Sequence, residues 1–217
     1  MLSEIFTTAF ILAGLIGVQA QSCMSKDVAR FHPVAVSKSG TFSVHSITLV
    51  HVGGAPRTAY DVLSVSTNGV SDERLEDFSL RNGTLVARPV ERTTATYWTP
   101  VITSFSADEG ASPLMTEVGN TIPTGNATDG ELQANFNALL RRGFKGYCAM
   151  ENEGGFPLLG VKGQDSWNPG TWSLCPNATA NGRQDVVFNS NKGGPHYASS
   201  ECRPIDIWMI PATNSSF

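Results

Sequence analysis

Between Phe78 and Ala87 the chain reads Phe-Ser-Leu-Arg-Asn-Gly-Thr-Leu-Val-Ala, two short alternating runs joined by Asn82-Gly83. Asn-Gly tolerates positive φ at both positions, which is what a two-residue type I′ turn requires, and the twist of that turn matches the right-handed twist of paired strands. A hairpin here commits this part of the chain to antiparallel pairing.

Partners for that hairpin are easy to find. Thr41 to Val52 is rich in β-branched residues, shows period-two features and stops at Gly53-Gly54, which predicts a strand. Along it His45, Ile47, Leu49 and His51 share one face, and Phe42, Val44, Ser46, Thr48, Val50 and Val52 the other. The second face is the more core-like. Thr96 to Phe105 reads as a further strand, followed by an extended polar loop from Ser106 to Thr128. Beyond Gly143, short apolar pieces alternate with Gly, Asn and Pro: Phe144 to Met150, Pro157 to Val161, Thr171 to Leu174, Asp185 to Phe188 and Pro204 to Ile210. This spacing predicts a mainly β fold, an antiparallel sandwich or barrel with at most one substantial helix.

The segment Thr128 to Gly143 is the candidate for that helix. Thr128-Asp-Gly-Glu131 has the form of a capping box, Leu132, Phe136, Leu139 and Leu140 follow at helical spacing, and Arg141-Arg142 precede a stopping Gly143. Yet Asp129-Gly130-Glu131-Leu132-Gln133-Ala134 repeats the form of Asn82-Gly83-Thr84-Leu85-Val86-Ala87, a turn and strand. Helix is the expectation, and strand stays open.

The N-terminus predicts the compartment. Phe6 to Val18 is an uncharged, largely apolar run, and Val18-Gln19-Ala20 offers residues that a signal peptidase reads, so residues 1–20 are expected to be removed. Thirteen residues at ~1.5 Å rise fall well short of a ~30 Å hydrocarbon core. The product, residues 21–217, is expected to form a single secreted β-rich domain. The C-terminal stretch from Ile205 carries Asp206 and a polar Thr-Asn-Ser-Ser run, with none of the apolar tail of a lipid-anchor signal, so no membrane anchor is expected.

Sequons at Asn82, Asn126, Asn177 and Asn214 agree with that route as expected N-glycosylation sites, Asn214 being the one least suited to use because it lies three residues from the end. With 15 Lys and Arg against 19 Asp and Glu, the chain has no basic field to attract nucleic acid or anionic membrane. Four cysteines, Cys23, Cys148, Cys175 and Cys202, are separated by 124, 26 and 26 residues. Such spacings do not suit a zinc site, and an even number in an oxidising route predicts two disulfides.

No Gly-x-Ser-x-Gly elbow, His-Glu-x-x-His helix, or Asp-Thr-Gly or Asp-Ser-Gly of an aspartic protease occurs, and a copper oxygenase would need histidine where the mature chain starts with Gln21. Paired carboxylates are the remaining route to hydrolysis, because a glycosidase sets two of them about 5 to 9.5 Å apart. Glu151 and Glu153 would share a face on a strand, with Asp165 and Trp167 at the border, but Asn152 and Gly154-Gly155 mark a solvated turn instead. His32, His45, His51 and His196 do not make a metal set: His45 and His51 would lie roughly 20 Å apart along an extended strand. Among Trp98, Trp167, Trp172 and Trp208, the last two sit inside apolar runs and read as core. Trp167 sits among Gln164, Asp165, Asn168 and Gly170. Trp167, Asp165 and Asn168 are therefore the candidate glycan-binding residues, an indole to stack on a sugar face and polar groups to orient it. No catalytic residue, cofactor or metal is assigned.

Several stretches together resemble a known family. Phe42-Ser-Val-His-Ser-Ile-Thr-Leu-Val50, Leu80-Arg-Asn-Gly-Thr-Leu-Val86, Trp172-Ser-Leu-Cys175-Pro176-Asn177, Val186-Val-Phe188 and Cys202-Arg-Pro-Ile-Asp206-Ile resemble, in order, small secreted fungal proteins of the phialide cell-wall and IgE-binding type. The resemblance implies a β-rich, non-enzymatic cell-wall or cell-surface glycoprotein, with wall polysaccharide or wall protein as partner and a C-terminal disulfide from the Cys-Pro segment. The alternatives are a lectin-like glycan-binding module and a secreted glycosidase. Four cysteines allow three pairings. Cys175 ends one apolar run and Cys202 stands just before another, so neighbouring strands would put these two at matching ends, leaving Cys23 to join Cys148.

Overall fold

The structure, a computed structural model, describes residues 22–39, 43–53, 60–66, 77–88, 97–98, 101–103, 112–117, 122–123, 143–162, 167–168, 171–180 and 182–212. Its strands in chain order are β1 (Cys23–Ser25), β2 (Val28–Ser37), β3 (Val44–Ser46), β4 (Thr48–Gly53), β5 (Tyr60–Ser66), β6 (Asp77–Arg81), β7 (Thr84–Arg88), β8 (Tyr97–Trp98) and β9 (Val101–Thr103). They continue with β10 (Leu114–Glu117), β11 (Ile122–Pro123), β12 (Tyr147–Met150), β13 (Leu158–Lys162), β14 (Trp167–Asn168), β15 (Trp172–Pro176), β16 (Arg183–Phe188) and β17 (Arg203–Pro211). The helical elements among the described residues are single 3-10 turns at Ser190–Lys192 and Ser199–Glu201.

All but β8 and β11 belong to one antiparallel sheet. Following hydrogen-bonded neighbours from β17 through β15, β16, β5, β10, β9, β7 and β6 leads to β2, and β2 pairs again with β17 from Ile205↔Ser37 to Pro211↔Phe31. That return curls the sheet into a half-barrel, in keeping with the expected β sandwich or barrel. The apolar residues face inward because alternation puts them there. In β17, Ile205, Ile207 and Met209 are buried while Asp206, Trp208 and Ile210 are half-exposed. In β6, Phe78 and Leu80 are buried beside half-exposed Ser79. Strands β12 and β15 are buried almost throughout, and Trp172, wholly enclosed, donates its Nε1–H to the Leu159 carbonyl at 2.8 Å.

Both disulfides join the expected partners. Cys23 is bonded to Cys148 and Cys175 to Cys202, with Cα atoms 5.7 and 4.2 Å apart. The strand argument explains the second: β15 lies antiparallel to β17 with Leu174 opposite Arg203, which sets Cys175 beside Cys202. In the first, β1 runs beside β12, with Cys23 opposite Met150.

The Asn82-Gly83 hairpin is present in its expected register, Arg81 opposite Thr84, with φ of 49° at Asn82 and 76° at Gly83. It is more than a local turn. Gly83 donates its N–H to the Lys26 carbonyl at 2.8 Å and accepts from the Tyr147 N–H at 2.9 Å, while the Asn82 N–H reaches Asp27 Oδ1 at 2.8 Å. The tip of β6–β7 thus pins the start of β2 and the start of β12 together.

Four expectations change. The segment 41–52 is two strands, because the chain switches partners at Ile47: β3 pairs with β2 and β4 with β5. The core-facing side is also the other of the two: Ile47 is buried and Leu49 packs on the core, whereas Val44 and Val52 are exposed. The 96–105 strand is two short pieces, β8 and β9, and the 106–128 loop contains β10 and β11, β10 being held between β5 and β9. Trp208 lies on the outer side of β17 against Phe156, ring centroids 6.0 Å apart, and is not a core residue. The segment 128–142, including the candidate helix, lies outside the described residues, as does the expected leader over 1–20.

Candidate functional site

Strands β15 and β16 carry the most concentrated polar chemistry of the described fold. Cys175 lies opposite Asp185, and Arg183 and Asp185, two apart on β16, project from one face. Just past β15 the chain makes a tight turn. The Asn177 N–H donates to the Arg183 carbonyl at 3.0 Å, and Asn177 Oδ1 accepts from both the backbone N–H and the hydroxyl of Thr179, at 2.9 and 2.7 Å. This doubled contact fixes the plane of the Asn177 amide. Its Nδ2 is thereby aimed at Asp185, donating to Oδ2 at 2.6 Å.

Asp185 is 9% exposed and would be costly to bury alone. Its charge is met by Arg183, whose Nη2 lies 3.1 Å from Oδ2 and whose Nε lies 2.8 Å from Oδ1. The segment after Ser190–Lys192 closes over the same region. Ala178 donates its N–H to the His196 carbonyl at 2.8 Å, and an isolated bridge joins Gly194 to Tyr197.

These parts border an open cavity of about 420 Å³ beside the Cys175–Cys202 disulfide. Asn177, Arg183 and Asp185 line its polar side; Val52, Val62, Pro195 and Tyr197 line the apolar one. Loss of water around Tyr197 raises its phenol above the ordinary tyrosine range. Such a space, neutral in sum because its anion and cation are paired, suits a ligand with hydroxyl or amide groups and an apolar face. Asp185 Oδ2 accepts from both Asn177 Nδ2 and Arg183 Nη2, which fixes the carboxylate against the cavity wall.

The residues singled out from the sequence do not gather at this cavity, with the exceptions of Asn177, Cys175 and His196. Glu151 and Glu153 are exposed in the turn between β12 and β13, where the chain reverses at Gly155 with φ of 96°. They are not on a strand, so they do not share the strand face expected of them. Trp167 and Asn168 form β14, a two-residue strand on β13 with Lys162 opposite Trp167. Asp165 lies outside the described residues, as do Asn126 and Asn214. His45 stands on β3 and His51 on β4, and among the described residues no group of His, Cys, Asp and Glu is placed to hold a metal ion. Asp185, Arg183 and Tyr197 were not signalled by spacing, because strand pairing and a loop return bring them together. The Asn177-Ala178-Thr179 sequon, Cys175 and His196 were the traces of the site in the sequence.

No family model, no curated protein and no solved structure matches this chain.

Proposed function

We propose that this chain is a non-enzymatic extracellular glycoprotein of a fungal cell wall or cell surface. The observation that carries the extracellular part is the pair of disulfides, which tie β1 to β12 and β15 to the approach to β17. Crosslinks of this kind are made and kept in oxidising compartments. The sequons and the resemblance to phialide cell-wall proteins support the remainder, and no helix among the described residues is long and apolar enough to cross a membrane.

The test is localisation of the tagged full chain. Recovery from the wall or the medium, with an N-terminus at Gln21 and loss of mass on endoglycosidase treatment, is the expected result. Retention inside the cell with Met1 in place would overturn the proposal.

A second reading, lectin-like binding through Trp167, draws on the position of β14, which hangs from β13 off the main path of the sheet. Pull-down on wall polysaccharide with the native chain and with Trp167→Ala separates it from a purely structural role.

A further inference from the structure

We infer that the cavity beside the Cys175–Cys202 disulfide seats the first sugar rings of a glycan that the chain itself carries on Asn177. This rests on the reading of the protein as a glycoprotein and goes on to say where one glycan lies. The anchoring residue is part of the cavity wall: Asn177 lines it, and its amide plane is fixed by Thr179 with Nδ2 2.6 Å from Asp185 Oδ2. A volume of about 420 Å³ lies in the ~300–1,000 Å³ range of small-ligand sites. Its surfaces match an N-acetylhexosamine, with Pro195 and Tyr197 for the C–H face and acetyl methyl, and Asp185 and Arg183 for hydroxyl and amide groups.

The chemistry of attachment is compatible with the hydrogen bond already present. Transfer forms a bond from Nδ2 to the anomeric carbon of the sugar while the C1–O bond to a lipid pyrophosphate carrier breaks, and one proton leaves the nitrogen. The nitrogen keeps one hydrogen, which suffices for Asp185. Since the Asn177 amide is folded back into the body, transfer precedes folding and the chain then closes over the sugar. Asn82 offers the contrast: it is an exposed turn residue, while Thr84 of its sequon is fully buried.

The experiment uses the secreted full chain and site-resolved glycopeptide mass spectrometry. Occupancy is measured first; peptide-N-glycosidase is then applied to native and denatured protein in heavy-oxygen water, so that each released site becomes a labelled aspartate. Asn177 is expected to be occupied and to release at least tenfold more slowly in the native protein than after denaturation. Tyr197→Ala should remove most of that protection without changing occupancy, and Tyr197→Phe should retain it.

Occupied Asn177 with equal release in native and denatured protein would overturn the inference. So would glycans on other sites with Asn177 bare, and both results leave the glycoprotein reading intact. A secreted chain bearing no glycan would remove that reading as well. Saturable binding of free di-N-acetylchitobiose to the fully occupied protein, lost in Tyr197→Ala, would show that the cavity takes an outside ligand and would also overturn it.

Discussion

Replacing Gly83 by alanine tests how the hairpin is built into the fold. Gly83 has φ of 76°, and an L-residue in that region loses about 1–2 kcal/mol relative to glycine. That part would be the same in any type I′ turn. The added cost comes from the surroundings: a Cβ at Gly83 would lie 2.9 Å from the Lys145 carbonyl oxygen and 3.2 Å from that of Tyr147. Both are backbone atoms and can move only by shifting the start of β12. Such overpacking costs roughly 1–3 kcal/mol, and displacement strains the bonds from Gly83 to Lys26 and Tyr147. The expected loss is therefore roughly 2–5 kcal/mol, or about 5–15 °C in melting temperature for a domain of this size. The assay is urea denaturation of unglycosylated protein, so that occupancy at Asn82 does not enter. A loss below about 1 kcal/mol would show that the turn tip is free of β12 and would refute the reasoning.

Three other substitutions follow from single contacts. Cys202→Ser opens a crosslink spanning 27 positions and should lower stability by about 3.5 kcal/mol in the chain-entropy account, checked by denaturant titration against the native protein with both disulfides intact. Trp172→Phe removes the 2.8 Å bond to Leu159 and leaves unfilled core volume, so a loss of roughly 2–4 kcal/mol is expected; an unchanged midpoint would show the indole to be less enclosed than described. Thr84→Val moves the other way. Its buried hydroxyl has no hydrogen-bond partner among the described residues, so the near-isosteric valine should stabilise unglycosylated protein by about 1 kcal/mol, and a lowered melting temperature would reveal a partner for that oxygen.

How far the sequence could be read depended on whether a feature is decided locally. The Asn82-Gly83 turn and the alternation in β6 are properties of neighbouring residues, and they appear in the fold as expected. The Cys175–Cys202 disulfide was accessible because those two cysteines lie at the edges of recognisable runs, and the other pair followed as the remainder. The break at Ile47 was not, since nothing in Thr-Phe-Ser-Val-His-Ser-Ile-Thr-Leu-Val says that its two halves pair with different strands. β2 and β5 went unrecognised for a related reason. Pro33 interrupts the strand pattern of β2, yet the residue is accommodated opposite Met209, and β5 owes its place to contact with β4, β10 and β16. Trp208 belongs to an apolar run, but period two sends it outward to Phe156.

The long reach of the Cys23–Cys148 link has a consequence for the order in which the chain matures. Synthesis at ~5–20 residues per second separates the emergence of these two cysteines, 125 positions apart, by roughly 6–25 s. Throughout that interval Cys23 has no other cysteine of the chain to react with. When Cys148 appears it is the first available partner, and Cys175 trails it by 27 positions, a further delay of about 1–5 s at the same rate. In a chain threaded into an oxidising compartment as it is made, sequential arrival alone favours the native pairing and leaves Cys175 and Cys202 to each other. The β2 edge must wait longer, because β17 begins only at Arg203. A chain truncated before that strand would hold a correct first crosslink and an unsatisfied sheet edge, the state most exposed to aggregation.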